Sequence, residues 1–149
     1  MNSLVRRTIN ACFRTLVEKY GFRPFEEVNA GEAYAIKYVS SAFVVKLEKY
    51  RHEFYCTLCR PNDEDRQINL FNLLAYLTRS PEAPPSGEYF GNEENVQERY
   101  RKQLAHIAGS IESHFAAIER FFASDDYEYQ FADVERFVTA KYPHLFRKT

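Results

Sequence analysis

No stretch of this sequence approaches the roughly 18 consecutive apolar residues that a membrane-spanning helix needs. Residues 1–20 also lack the apolar core of about 7–15 residues that marks a secretory signal. An excess of one charge is missing too. Twenty Lys and Arg against 21 Asp and Glu leave a formal net charge of −1, with a pI near 6.4. That balance gives no global attraction to nucleic acid or to an anionic membrane, and neither is expected as a partner. Cysteine is scarce: three residues, an odd number in a chain without a leader, read as reduced thiols in a cytoplasm. Tryptophan is absent, yet aromatics reach 16% and hydrophobic residues 45%. Those are globular values, and the length fits one domain spanning 1–149 with a real core. No internal repeat is present.

The motifs of common chemistries are also missing. There is no G-x-S-x-G, P-loop or dinucleotide fingerprint. His52, His106, His114 and His144 form no ligand pattern. His106 and His114 lie two turns apart on one helix, without Glu or His at the spacing a helical metal site uses. Cys56-Thr57-Leu58-Cys59 is a C-x-x-C, but it falls in a strand pattern that sends the two sulfurs to opposite faces. A redox pair wants a helix N-terminus, and a zinc knuckle wants a turn and two further ligands. Buried structural thiols are the expected state. Glu26-Glu27 and Asp125-Asp126 are adjacent pairs, and adjacent strand side chains diverge, which is wrong for shared acid–base work. No catalytic residue, cofactor or metal site is therefore expected.

What the chain does contain is a strand-rich centre, Glu32 to Arg60. Ala33 to Val39 sets Tyr34, Ile36 and Tyr38 against Ala35, Lys37 and Val39. Ala42 to Tyr50 sets Phe43, Val45 and Leu47 against Val44, Lys46 and Glu48, and Glu53 to Cys59 sets Phe54, Cys56 and Leu58 against Tyr55, Thr57 and Cys59. Period-2 alternation of aromatic and β-branched residues predicts strands with one apolar and one mixed face. Short connections make neighbours antiparallel, and neither carries the Asn-Gly or Asp-Gly signal that would fix its turn type. Phe22 to Val28 adds a fourth strand at the edge, where Pro24 is tolerated.

Helices flank this centre. Leu4, Val5, Ile9, Cys12, Phe13, Leu16, Val17 and Tyr20 share one face of a leading helix capped by Ser3 or Asn2 and stopped at Gly21. Its other face carries Arg6, Arg7, Arg14 and Lys19, read as a solvated face; it lacks the partners of a phosphate site. After a loop at Arg60-Pro61-Asn62-Asp63, Asp63 or Asp65 caps a helix that runs to about Arg79. A long helix from about Glu93 to Ala123 follows, with a kink expected at Gly109-Ser110. The last helix runs from roughly Asp126 to Tyr142 and stops at Pro143, before a short basic tail that is expected to fray, with Leu145 and Phe146 as its available anchors. The predicted fold is α+β: a three- or four-stranded antiparallel meander packed against an N-terminal helix and three C-terminal helices, one of them long.

Between the helices, Ser80 to Glu98 holds three prolines, two glycines and five glutamates without a basic residue. A loop this long is a candidate for function. Glu82, Glu88, Glu93 and Glu94 surround the adjacent aromatics Tyr89 and Phe90. Aromatic anchors inside an acidic rim are the chemistry of a surface that binds a basic protein. The competing reading folds Tyr89 and Phe90 back over the core.

The element order resembles that of small, largely uncharacterised bacterial α+β proteins: a leading helix ending in YGFR, an aromatic meander, INLFNLLAYLTR, a Pro/acidic loop and a long helix. Some of those resemble immunity proteins of polymorphic toxin systems. The resemblance implies a cytoplasmic protein that works by binding another protein, for an immunity protein the toxin it neutralises, and it brings no catalytic residues; the acidic loop is what would suit a basic toxin domain. The first expectation is thus a non-enzymatic protein-binding module. The second is a small-molecule or peptide binder, enzymatic or not, with a tyrosine-lined pocket between sheet and long helix. The third is a structural homodimer through the long helix.

Overall fold

The computed structural model describes residues 2–79 and 86–141. Pro143, the tail with Leu145 and Phe146, and the loop positions 80–85 lie outside them. The architecture is α+β, with five strands rather than three or four, in the order β1-β2-β3-β4-β5 and antiparallel throughout.

The chain enters through α1 (Asn2–Cys12) and α2 (Arg14–Tyr20), nearly one helix with a bend at Phe13. Phe13 is buried and stacks on Tyr38 at 5.0 Å, so the bend seats a ring on the sheet. Gly21 ends α2 at φ 74, a left-handed conformation that glycine adopts without a Cβ penalty. β1 (Arg23–Ala30) is an edge strand, and all eight residues are exposed. Pro24 sits there without interrupting a central ladder. The register slips between Phe25 and Val28, and Glu26 takes φ 52 inside that bulge.

β2 (Ala33–Val39), β3 (Val44–Tyr50) and β4 (Glu53–Arg60) follow in continuous register. Tyr34, Ile36, Tyr38, Val45, Leu47, Phe54, Cys56 and Leu58 all point inward and join one core with side chains from every helix. β3 begins at Val44 rather than Ala42, because Ser40 Oγ accepts from the backbone N–H groups of Ala42 and Phe43 and holds them in a turn.

The chain after β4 departs from the predicted helix. Arg60 pairs with Asp63 across a tight turn, and Asp63–Asn69 is β5. Pro61 followed by Asn62 at φ 68 supplies the fixed and the left-handed positions that such a turn needs. Neither Asp63 nor Asp65 caps a helix. Asn69 does, accepting from Phe71 N and Asn72 N at 3.0 and 3.2 Å, and α3 runs only from Leu70 to Thr78. Ile68 is the one buried residue of β5, which hid the strand from an apolar pattern.

The predicted long helix is two. α4 (Val96–Ser113) and α5 (Phe115–Ala123) meet at His114, not at Gly109-Ser110. The bend follows packing: Phe115 lies 4.0 Å from the ring of Tyr20 and 5.2 Å from that of Phe43, between α2 and the sheet. α6 (Tyr127–Lys141) closes the domain and buries Val134 and Val138. No described helix is long and apolar enough to cross a membrane.

Candidate protein-binding face on the open side of the sheet

Among the described residues every helix contributes to the core on the inner face of the sheet, and none forms a layer on the outer face. The alternation that buries Tyr34 and Leu47 necessarily turns their neighbours outward. β1 presents Phe25 and Val28, 58% and 56% exposed. β3 presents Tyr50 at 56%, and β4 presents Tyr55 at 39%. Ala33 and Ala35 of β2 lie between them by register. Scattered apolar residues are ordinary on a surface, but large ones gathered on one face are not.

The charges on this face are arranged around Lys37. Its Nζ donates to Glu26 Oε2 at 2.8 Å and to Glu64 Oε1 at 2.9 Å, joining the β1 bulge to β5 across the sheet. Those bonds raise the Lys37 pKa above its usual value. Lys46 pairs with Glu48 at 3.6 Å, and the Tyr55 hydroxyl donates to Glu53 at 2.5 Å. Burying that phenol proton in a carboxylate bond pushes the Tyr55 pKa up to about 12.

The loop lies beside this face. Ser86 O is 2.7 Å from His106 Nε2, and the His106 ring stacks flat on Phe71 at 5.2 Å. Phe90 meets His106 edge-on at 6.4 Å and is half-buried. Arg99 Nε donates to Tyr89 O at 3.2 Å, while the Tyr89 ring, 40% exposed, reaches Tyr55 at 5.9 Å. Glu93 accepts from Lys102 Nζ at 2.8 Å, which holds its carboxyl below the usual range. Glu88 and Glu94 are exposed. Of the residues predicted for this site, Tyr89 therefore joins the sheet face, Phe90 and Glu93 are tied to α4, and Glu82 lies outside the described residues.

Sequence reasoning missed Phe25, Val28 and Tyr50 as surface anchors. Tyr50 closes the Ala42–Tyr50 alternation at a mixed-face position, and Tyr55 falls on the mixed face of the Glu53–Cys59 alternation. The available signal was large aromatics on the face that should be polar.

Several other buried polar groups are satisfied internally, whereas the buried Tyr127 hydroxyl has no hydrogen-bond partner among the described residues. Gln103, fully buried, accepts from Phe54 N at 3.0 Å and donates to His52 O at 2.8 Å. Lys49 is buried, with its Nζ donating to Glu32 O at 3.3 Å and lying 5.3 Å over the Tyr100 ring. Burial lowers its pKa. Cys56 shares the inner face with Leu47, whereas Cys59 lies opposite Val44 on the other face. Burial raises both thiols, Cys59 to about 11, so neither is a ready nucleophile at neutral pH. Between sheet and α4, Phe54 packs edge-on against Tyr100 at 5.4 Å, and Leu104 and Ile107 are buried in the same core.

No family model, curated protein or solved structure matches this chain.

Proposed function

We propose that this chain is a non-enzymatic protein-binding module that takes its partner on the open sheet face and the adjoining loop. One observation carries the reading. Phe25, Val28, Tyr50, Tyr55 and Tyr89 stand exposed around one sheet face whose other side is fully packed. Large amphipathic aromatics on a rigid scaffold are what interface hot spots are made of. The element order that resembles immunity proteins would make the partner a toxin domain. Exposed Glu26, Glu48, Glu64, Glu88 and Glu94 would favour a basic one and speed its encounter.

The test is site-specific photocrosslinking in the native host. A photoreactive residue at position 50 is expected to trap one protein, and the same residue at position 129, an exposed site on α6, to trap none. Binding of that purified protein should then be lost in Phe25→Ser/Tyr50→Ser while the melting temperature stays within a few degrees of wild type. Equal trapping from both positions, or full affinity in the double variant, would overturn the reading.

A further inference from the structure

The Phe25 end of the open face differs from the rest of it. There the β1 bulge and the β4–β5 turn wall off a hollow of about 500 Å³. Its apolar lining is Phe25, Val39, Val44 and Pro61, and its polar lining includes Glu26, Asp63, Glu64 and Asp65. Four carboxylates meet two nearby cations. Lys37 sits between Glu26 and Glu64, and Arg66 lies 3.7 Å from Asp63 while also reaching Glu128 at 3.6 Å. Asp65 has no ion pair among the described residues; Lys46, opposite Lys37 by register, is paired with Glu48, and Arg23 stands further off at the end of β1.

This lining suits one kind of guest. A guanidinium or ammonium group carries an apolar stem that can lie on Val39 and Val44, and a charged head that carboxylates and an aromatic ring both attract. The chain already demonstrates half of that chemistry, since the ammonium of Lys37 is held by two of these carboxylates. An acidic side chain would meet repulsion here, and a purely apolar one would leave the carboxylates uncompensated. We infer that this hollow receives an arginine or lysine side chain of the protein that docks on the open face. The inference rests on the proposed binding function and names the chemistry its partner must present.

The probes are capped peptides of about ten residues in which arginine alternates with leucine, and their counterparts with citrulline in place of arginine. Citrulline keeps the shape and loses the charge. The arginine peptide is expected to bind saturably, about tenfold more tightly than the citrulline peptide, and to weaken with salt. Glu64→Gln/Asp65→Asn should cost the arginine peptide about fivefold or more and leave the citrulline peptide unchanged. The control Glu112→Gln/Glu119→Gln removes the same charge from exposed positions on α4 and α5 and should change neither. Equal binding of the two peptides, equal loss in the control variant, or no saturable binding overturns the inference. So does self-association through this face, seen as a dimer that Phe25→Ser dissociates. Failure here is distinguishable from failure of the binding reading. Crosslinking at position 50 with no preference for arginine leaves the docking face standing. A preference for arginine without crosslinking leaves a cation pocket on a face that docks nothing.

Discussion

The two faces of the sheet are built from the same strands and end in different states. On the inner face, Tyr34, Ile36, Tyr38, Val45, Leu47, Phe54, Cys56 and Leu58 are all at or below 5% exposed. On the outer face, Phe25, Val28, Tyr50 and Tyr55 keep between 39% and 58% of their surface in solvent. The inner face is apolar apart from the buried Lys49, and it draws the helices. The outer face mixes its aromatics with Lys37, Lys46 and Glu48; it buries Val44 and Cys59 at the end beside the β4–β5 turn, and no described helix covers the rest. An antiparallel sheet can leave one side wet, but a wet side is normally polar. The difference teaches that the outer aromatics contribute little to folding, so their presence asks for another role.

Leu47 and Tyr50 test this within one strand. Leu47→Ala should cost about 2–5 kcal/mol in urea unfolding, through lost burial and an unfilled cavity. Tyr50→Ala should stay within about 0.5 kcal/mol, as surface changes usually do. Comparable costs would show that the outer face is covered in solution, and the contrast would collapse.

Gln103 sharpens the contrast at the edge of the inner core. Gln103→Leu should cost roughly 1–3 kcal/mol, because the Phe54 N–H and the His52 carbonyl lose their partner inside the protein. A neutral result would mean that water reaches these groups from the β3–β4 turn.

The inner tyrosines add a pH dependence. Burial first, together with nearby negative charge, pushes Tyr34, Tyr38 and Tyr127 up to about 12. A raised folded pKa means the stabilisation is complete below the unfolded value near 10 and is lost as pH climbs towards about 12. Stability should therefore fall steeply across that window, and Tyr38→Phe should flatten the fall. An unchanged slope in Tyr38→Phe would show that this phenol ionises freely in the folded state.

Much of this arrangement was legible in the sequence. Period-2 alternation put Tyr34, Ile36 and Tyr38 on one face because burial on a pleated surface demands it. β5 was not legible, since Asp63 to Gln67 carries no apolar signal and is held by backbone pairing and the Pro61-Asn62 turn. The bend at His114 was equally hidden, because it is set by where Phe115 lands among Tyr20, Phe22 and Phe43, far apart in the chain. The loop carried its aromatics and charges openly, but spacing alone does not tell that Tyr89 turns to Tyr55 while Phe90 turns to His106. That division depends on φ 52 at Phe90 and on the Arg99 bond to the Tyr89 carbonyl.

Tyr89 and Phe90 give the finest test, because they stand on the border between covered and open surface. Phe90 is half-buried against His106, so Phe90→Ala should cost roughly 1–2 kcal/mol, less than truncating a fully buried aromatic. Tyr89 touches the domain mainly through its ring contact with Tyr55, so Tyr89→Ala should cost below about 1 kcal/mol. The informative quantity is the coupling between the two tyrosines. A double-mutant cycle of Tyr55→Ala and Tyr89→Ala should return about 0.5 kcal/mol, the lower end for aromatic pairs, since both rings remain partly in water. A measured coupling of that size makes the loop a rigid extension of the sheet face, so Tyr89→Ala should weaken partner binding as strongly as Tyr55→Ala. Zero coupling with unchanged partner affinity in Tyr89→Ala would confine the face to the strands and remove the loop from it.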